Sequence, residues 1–191
     1  SYRLALRGHQ PIAIDILSDP LDGLAAGSHY QQSAAYPRVS LPRINAEFDD
    51  LPLATGSLDL AIYNASIHYS TDYRRTLSEI RRCLRPGGSL LVATVVAGPA
   101  VTDTVRRFAW EVDGMINLPS SGEYAPLLAA AGFESYSAED ITPLACAGAE
   151  KMDVALACQR DQVIELQGEE TFRGWQQVGE LYLRAFRSGQ L

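Results

Sequence analysis

The sequence predicts an α/β fold, a three-layer αβα sandwich around a mostly parallel sheet with an antiparallel last strand. Three observations predict it. Residues 85–96 read RPGGSLLVATVV, a charged stretch that stops at Pro-Gly-Gly and turns into a run with almost nothing polar. A strand that is apolar on both faces must be covered on both sides, which usually means a parallel sheet between helix layers. Short apolar runs also alternate with helix-like segments, the pattern of βα units. Finally, several of those runs end in polar residues, where open α/β sheets hold their ligands. These are Asp15, Glu47 to Asp50, Asn64 and, just beyond it, His68.

Taken in order, residues 2–7 read as the last turns of a helix stopped by Gly8. PIAIDI, 11–16, is a short strand ending in Asp15; Asp19 can then cap a helix from Pro20 to Gly27. RINAEF, 43–48, is a second strand and LDLAIYN, 58–64, a third. From Asp72 to Leu84, Tyr73, Leu77, Ile80 and Leu84 fall on one helical stripe, with arginines opposite. Thr71 is the expected N-cap, and Pro86 ends the helix at Arg85. Gly87 and Gly88 then allow a tight reversal into the apolar strand.

Beyond it, residues 100–112 and 122–132 read as helices. FESYSAEDI, 133–141, and MDVALACQR, 152–160, read as strands joined by a loop, and so as an antiparallel pair. In the last thirty residues Phe172, Trp175, Val178, Leu181, Tyr182 and Phe186 form an apolar helical stripe, expected to pack on the sheet layer or on a second subunit in a homodimer.

At 191 residues the chain suits one domain, read as residues 1–160 with a helical extension, 161–191, packed upon it. A net charge of -7 argues against nucleic acid as a partner, because non-specific binding to phosphates draws on clustered Lys and Arg. Three widely spaced cysteines suggest neither a disulfide framework nor a zinc site. No window approaches the ~18 consecutive apolar residues of a membrane helix. A cytoplasmic chain with no metal and no membrane partner is expected.

FDDLPLATGSLDLAIYNASIHYS, followed by a helix and LSEIRRCLRPGGSLLVATVV, resembles the class I S-adenosylmethionine-dependent methyltransferases, particularly their small-molecule branch. HQPIAIDIL, 9–17, is similar to that family's second strand with its terminal acid. The resemblance covers most of residues 1–160 and implies a Rossmann-like sheet, S-adenosylmethionine as cofactor and transfer of its methyl group to a small-molecule acceptor. It implies that Asp15 accepts the ribose hydroxyls, with Ile16 beside the adenine. It places Glu47 opposite the adenine amino group, although Asp49 and Asp50 compete for that role. It sets the Phe48 backbone N–H against the ring and Asn64 beside the methionine moiety. His68 is the candidate catalytic base, with loop capping as the structural alternative.

The family's glycine-rich loop and the strand before it would stand upstream of Ser1, so an N-terminally incomplete domain is expected. VIELQGEE, 163–170, is an alternative source of that strand. A second functional reading stays open, a methyltransferase-like domain that has lost its cofactor and serves as a binding or assembly module through the terminal helix.

Overall fold

The computed structural model describes residues 1–18, 23–26 and 38–191. The helix expected from Pro20 to Gly27 lies outside these residues except for a 3-10 turn at Leu24–Ala26. The order of elements is α1 (Tyr2–Leu6), β1 (Ala13–Asp15), β2 (Arg43–Asn45), β3 (Leu58–Asn64), α2 (Tyr73–Cys83) and β4 (Leu84–Ala93). Then follow α3 (Asp103–Glu111), α4 (Ser121–Ala130), α5 (Thr142–Cys158), α6 (Arg160–Gln167) and α7 (Glu169–Arg187).

Both sheet pairings are parallel. β1 pairs with β2, Asp15 lying opposite Asn45, and β3 pairs with β4, Asn64 lying opposite Ala93. No strand joins β1 to β3 among the described residues. The two pairs nevertheless share a core. Ile14 and Phe48 pack against the cluster formed by Tyr63, Leu77, Ile80 and Cys83.

Helix α2 forms where the apolar spacing places it and buries Tyr73, Leu77, Ile80 and Cys83 on one side. Each such side chain contributes roughly 1.5–3 kcal/mol by leaving water. The cap is Asp72 rather than Thr71. Its carboxylate accepts from the amides of Arg74 and Arg75, at 2.9 and 3.1 Å, where a negative charge also suits the helix start.

The Pro-Gly-Gly segment holds a different place from the one expected. It is not a reversal before the strand but a bulge within it. Leu58 pairs with Leu84 while Leu60 pairs with Ser89, so residues 85–88 loop out of the ladder. Gly87 adopts a left-handed φ of 76°. Gly88 lies so close to β3 that a Cβ would meet the Leu58 and Asp59 carbonyls at 3.1 and 3.2 Å. Across β3 and β4, Ala61 and Tyr63 face α2, whereas Leu60, Ile62 and Leu91 on the other face are exposed.

Two expectations are overturned. Residues 133–141 contain no strand, and residues 152–158 are helical within α5, so the antiparallel last strand is absent among the described residues. MDVALAC is too short an apolar run to separate strand from helix by itself. The alanines around it and Pro143 in the first turn favour helix, and α5 then packs on α7. VIELQGEE is likewise helical, split between α6 and α7 at Gly168, and so forms no strand.

The end of α7 is seated on the connection after β4. Gly98 N–H donates to the Gln190 carbonyl at 2.9 Å and Ala100 N–H to that of Gly189 at 3.1 Å. Val105, Ala185 and Leu191 bury one another there. Among the described residues no helix is long and apolar enough to cross a membrane.

Candidate functional site at the strand ends

The first group of candidates lies where β1 and β2 end. Asp15 is the last residue of β1 and is partly exposed. The Leu17 N–H donates to its Oδ1 at 2.9 Å, which orients the carboxylate, and no ion pair reaches it among the described residues. Opposite it, the Asn45 side-chain amide donates to the carbonyls of Asp15 and Ile16 at 3.1 and 2.7 Å. Asn45 thus pins the backbone as it leaves the strand. It was missed in the sequence reading, although an amide closing the short run RIN was a signal. Ile16 is 56% exposed and free to cover a flat ligand.

Glu47 is exposed on the loop after β2, and the half-buried Phe48 sets its ring edge-on to Tyr63 with centroids 5.2 Å apart. Phe48 therefore ties this loop to the end of β3. The competing acids differ in their surroundings: Asp49 pairs with Arg75 at 3.2 Å. The rest of the loop is fixed from α2. Arg82 donates to the Leu51 and Leu53 carbonyls at 3.1 and 2.9 Å, while Glu79 accepts from the Leu51 N–H at 3.0 Å. Arg82 and Glu79 bond each other at 2.6 and 2.8 Å, and this pairing holds the Glu79 carboxyl below its usual range.

The second group lies beyond β3. Asn64 is exposed at the strand end, and Ala65 follows with φ 52°, a left-handed conformation that costs a residue with a Cβ roughly 1–2 kcal/mol. Such strain gathers at ligand-binding turns. The 3-10 turn Ile67–Tyr69 then carries His68 into the interior, where it is 1% exposed. Its Nδ1 lies 3.2 Å from Thr94 Oγ1, just past β4. The Thr94 hydroxyl also lies 3.4 Å from the Val95 carbonyl; the tautomer with hydrogen on Nδ1, donating to Thr94, is the one that leaves the lone pair on Nε2. Nε2 is buried and has no hydrogen-bond partner among the described residues. Burial lowers the His68 pKa and so favours the neutral imidazole, while the Asp113 carboxylate acts in the opposite direction.

The structure thus brings Asp15 together with Asn45, links Phe48 to the strand that ends in Asn64, and buries His68 separately beside Thr94. Among the described residues the exposed strand ends offer carboxylates and amides, which suit hydroxyl and amino groups better than phosphate. No group of side chains able to hold a metal occurs among the described residues.

A family model described as a methyltransferase domain matches residues 2–92. Over residues 2–92 the chain is thus similar to methyltransferase domains. Over 61 residues the chain is 45% identical to a malonyl-[acyl-carrier protein] O-methyltransferase of Coxiella burnetii, covering 32% of this chain and 20% of that protein. It is 29% identical over 113 residues to a trans-aconitate 2-methyltransferase of Deinococcus radiodurans, covering 54% and 44%. Among solved structures, the phosphoethanolamine N-methyltransferase 2 of Haemonchus contortus in complex with S-adenosyl-L-methionine overlays 98% of this chain and 43% of its own, with a TM-score of 0.81 at 15% identity. That overlay makes the fold Rossmann-like. The chain spans a fifth to less than a half of the length of the two curated methyltransferases.

Proposed function

We propose that this chain binds S-adenosylmethionine and transfers a methyl group to a small-molecule acceptor. The observation that carries the reading is the Asp15 carboxylate, oriented by the Leu17 amide at the carboxyl end of a parallel strand and unpaired with any cation among the described residues. Asp15 would hold the two ribose hydroxyls and Ile16 would cover the adenine. Glu47, exposed where Asp49 is tied to Arg75, would take the adenine amino group. The Phe48 backbone would meet the ring edge and Asn64 the methionine portion.

When bound, S-adenosylmethionine supplies an already activated methyl group, so the protein has mainly to align, exclude water and manage a proton. His68 Nε2, in the neutral form that burial favours and without a partner among the described residues, would accept a proton from a protic acceptor. The division into residues 1–160 and a helical extension, 161–191, on the same domain is part of this proposal. The seat of Gly189 and Gln190 on Gly98 and Ala100 supports it.

A carboxylate accepting two hydroxyls contributes roughly 1.5–3 kcal/mol. In the full-length protein, Asp15→Ala should weaken S-adenosylmethionine binding by about ten- to a hundred-fold by calorimetry. An unchanged dissociation constant would overturn the assignment of Asp15.

A further inference from the structure

The residues around the His68 turn extend beyond its own segment. After α3 the chain passes through Asp113, Gly114, Met115 and Asn117, and this stretch is bonded onto the turn. Asn117 N–H donates to the His68 carbonyl at 3.3 Å, and the Asn117 side-chain amide donates to the Ser70 carbonyl at 2.8 Å. Gly114, with φ 66°, passes over the Tyr69 ring. The same stretch is gripped from its far side by α7. The Tyr182 hydroxyl donates to Asp113 Oδ2 at 2.5 Å and lies 3.9 Å from Met115 Sδ. The Tyr182 ring is itself wedged between Phe108 of α3 and Phe186 of α7, with centroids 5.6 and 5.8 Å away. A continuous set of bonds therefore runs from the terminal helix through Asp113 to the backbone of His68.

Resting on the reading of His68 as a base, we propose that Tyr182 and Asp113 are positioning residues, a clasp by which helix α7 holds the His68 turn and aims a single carboxylate charge at its imidazole. The His68 ring meets Tyr69 of its own turn edge-on and Thr94 beyond β4, and the Asp113 carboxylate after α3, with Tyr182 bonded to it, acts on the ring through its charge. Tyr124 of α4 lies beside Thr94. Burial raises the phenols of Tyr124 and Tyr182, and Asp113 raises Tyr182 further, so both stay neutral across the working pH range. Asp113 is then the charge that the imidazole meets among these groups. Because the Tyr182 hydroxyl shares that charge through a short bond, the two residues act on His68 with opposite sign.

The test is the NMR titration of the His68 ring in full-length protein, with turnover measured alongside. Asp113→Asn removes the attracting charge and should move the His68 pKa downward. Tyr182→Phe leaves the carboxylate unshared and should move it upward. Turnover in Tyr182→Phe should fall by about tenfold, the loss expected for one hydrogen bond to a charged group, with the KM for cofactor unchanged. Asp113→Glu should restore the titration toward that of the parent protein. Shifts of the same sign in both variants, as general loosening would give, overturn the clasp, and so does a His68 titration that neither variant moves. Should His68→Ala turn over normally while the opposite shifts persist, the clasp stands and the base role of His68 falls.

Discussion

The side chain with the most leverage is His68, because its stability contribution and its chemistry depend on the same proton. Its pKa in the folded protein lies below the ordinary 6.5, chiefly through burial. The unfolded chain therefore binds this proton more readily, and unfolding free energy rises with pH across the interval between the two values. The contribution is complete above about pH 6.5 and is lost as pH falls toward the folded value. Urea midpoints compared at mildly acidic and neutral pH should drop on the acid side, and His68→Gln should flatten that part of the slope. A histidine in a polar loop was visible as a candidate from its place after LDLAIYN. Its burial was not, because the Thr94 partner and the carboxylate of Asp113 come from segments 26 and 45 residues away along the chain.

At the scale of elements, α2 does two tasks with its two faces. The inner face builds the core, and the outer one carries Glu79 and Arg82, which satisfy the backbone of Leu51 and Leu53 and bond the Thr55 hydroxyl. On sequence Arg82 is one of the arginines opposite the apolar stripe, a position where charges usually meet only solvent. Arg82→Gln should free that loop, seen as faster amide exchange at Leu51 with the Leu77 amide in the helix unchanged. Equal acceleration at both would mean global destabilisation instead. Helix α2 and strand β3 were legible to within a residue or two, since long periodic runs and strands bounded by turns carry their own signal. MDVALAC was not, because an apolar run of that length fits either structure until neighbours decide, and α5 found its neighbour in α7. The bulge in β4 was likewise hidden, because Pro-Gly-Gly suits a turn and a bulge equally well.

At the scale of the whole molecule, the terminal helix is attached at a point where there is no room for a side chain. A methyl group on Gly98 would collide with the Gly189 carbonyl, the spot where two backbone hydrogen bonds hold the end of the chain. Gly98→Ala should cost about 1–3 kcal/mol by chemical denaturation, the range for overpacking. It should also expose residues beyond α7 to proteolysis before the β3–β4 region. Resistance equal to the parent's would show that the terminus is held mainly elsewhere.

The sequence by itself determined the local half of this protein. It set the helix stripe of α2, the parallel strands closed by Asp15 and Asn64, and the likeness of residues 2–92 to methyltransferase domains. Each of these is written in neighbouring residues, through periodicity, capping and strand-end chemistry. Only the tertiary structure decided that 152–158 is helical, that Asn45 and Phe48 tie the strand ends together, and that Tyr182 reaches Asp113 over the His68 turn. Those outcomes depend on which distant surfaces become neighbours once the core closes, and no local pattern encodes that choice.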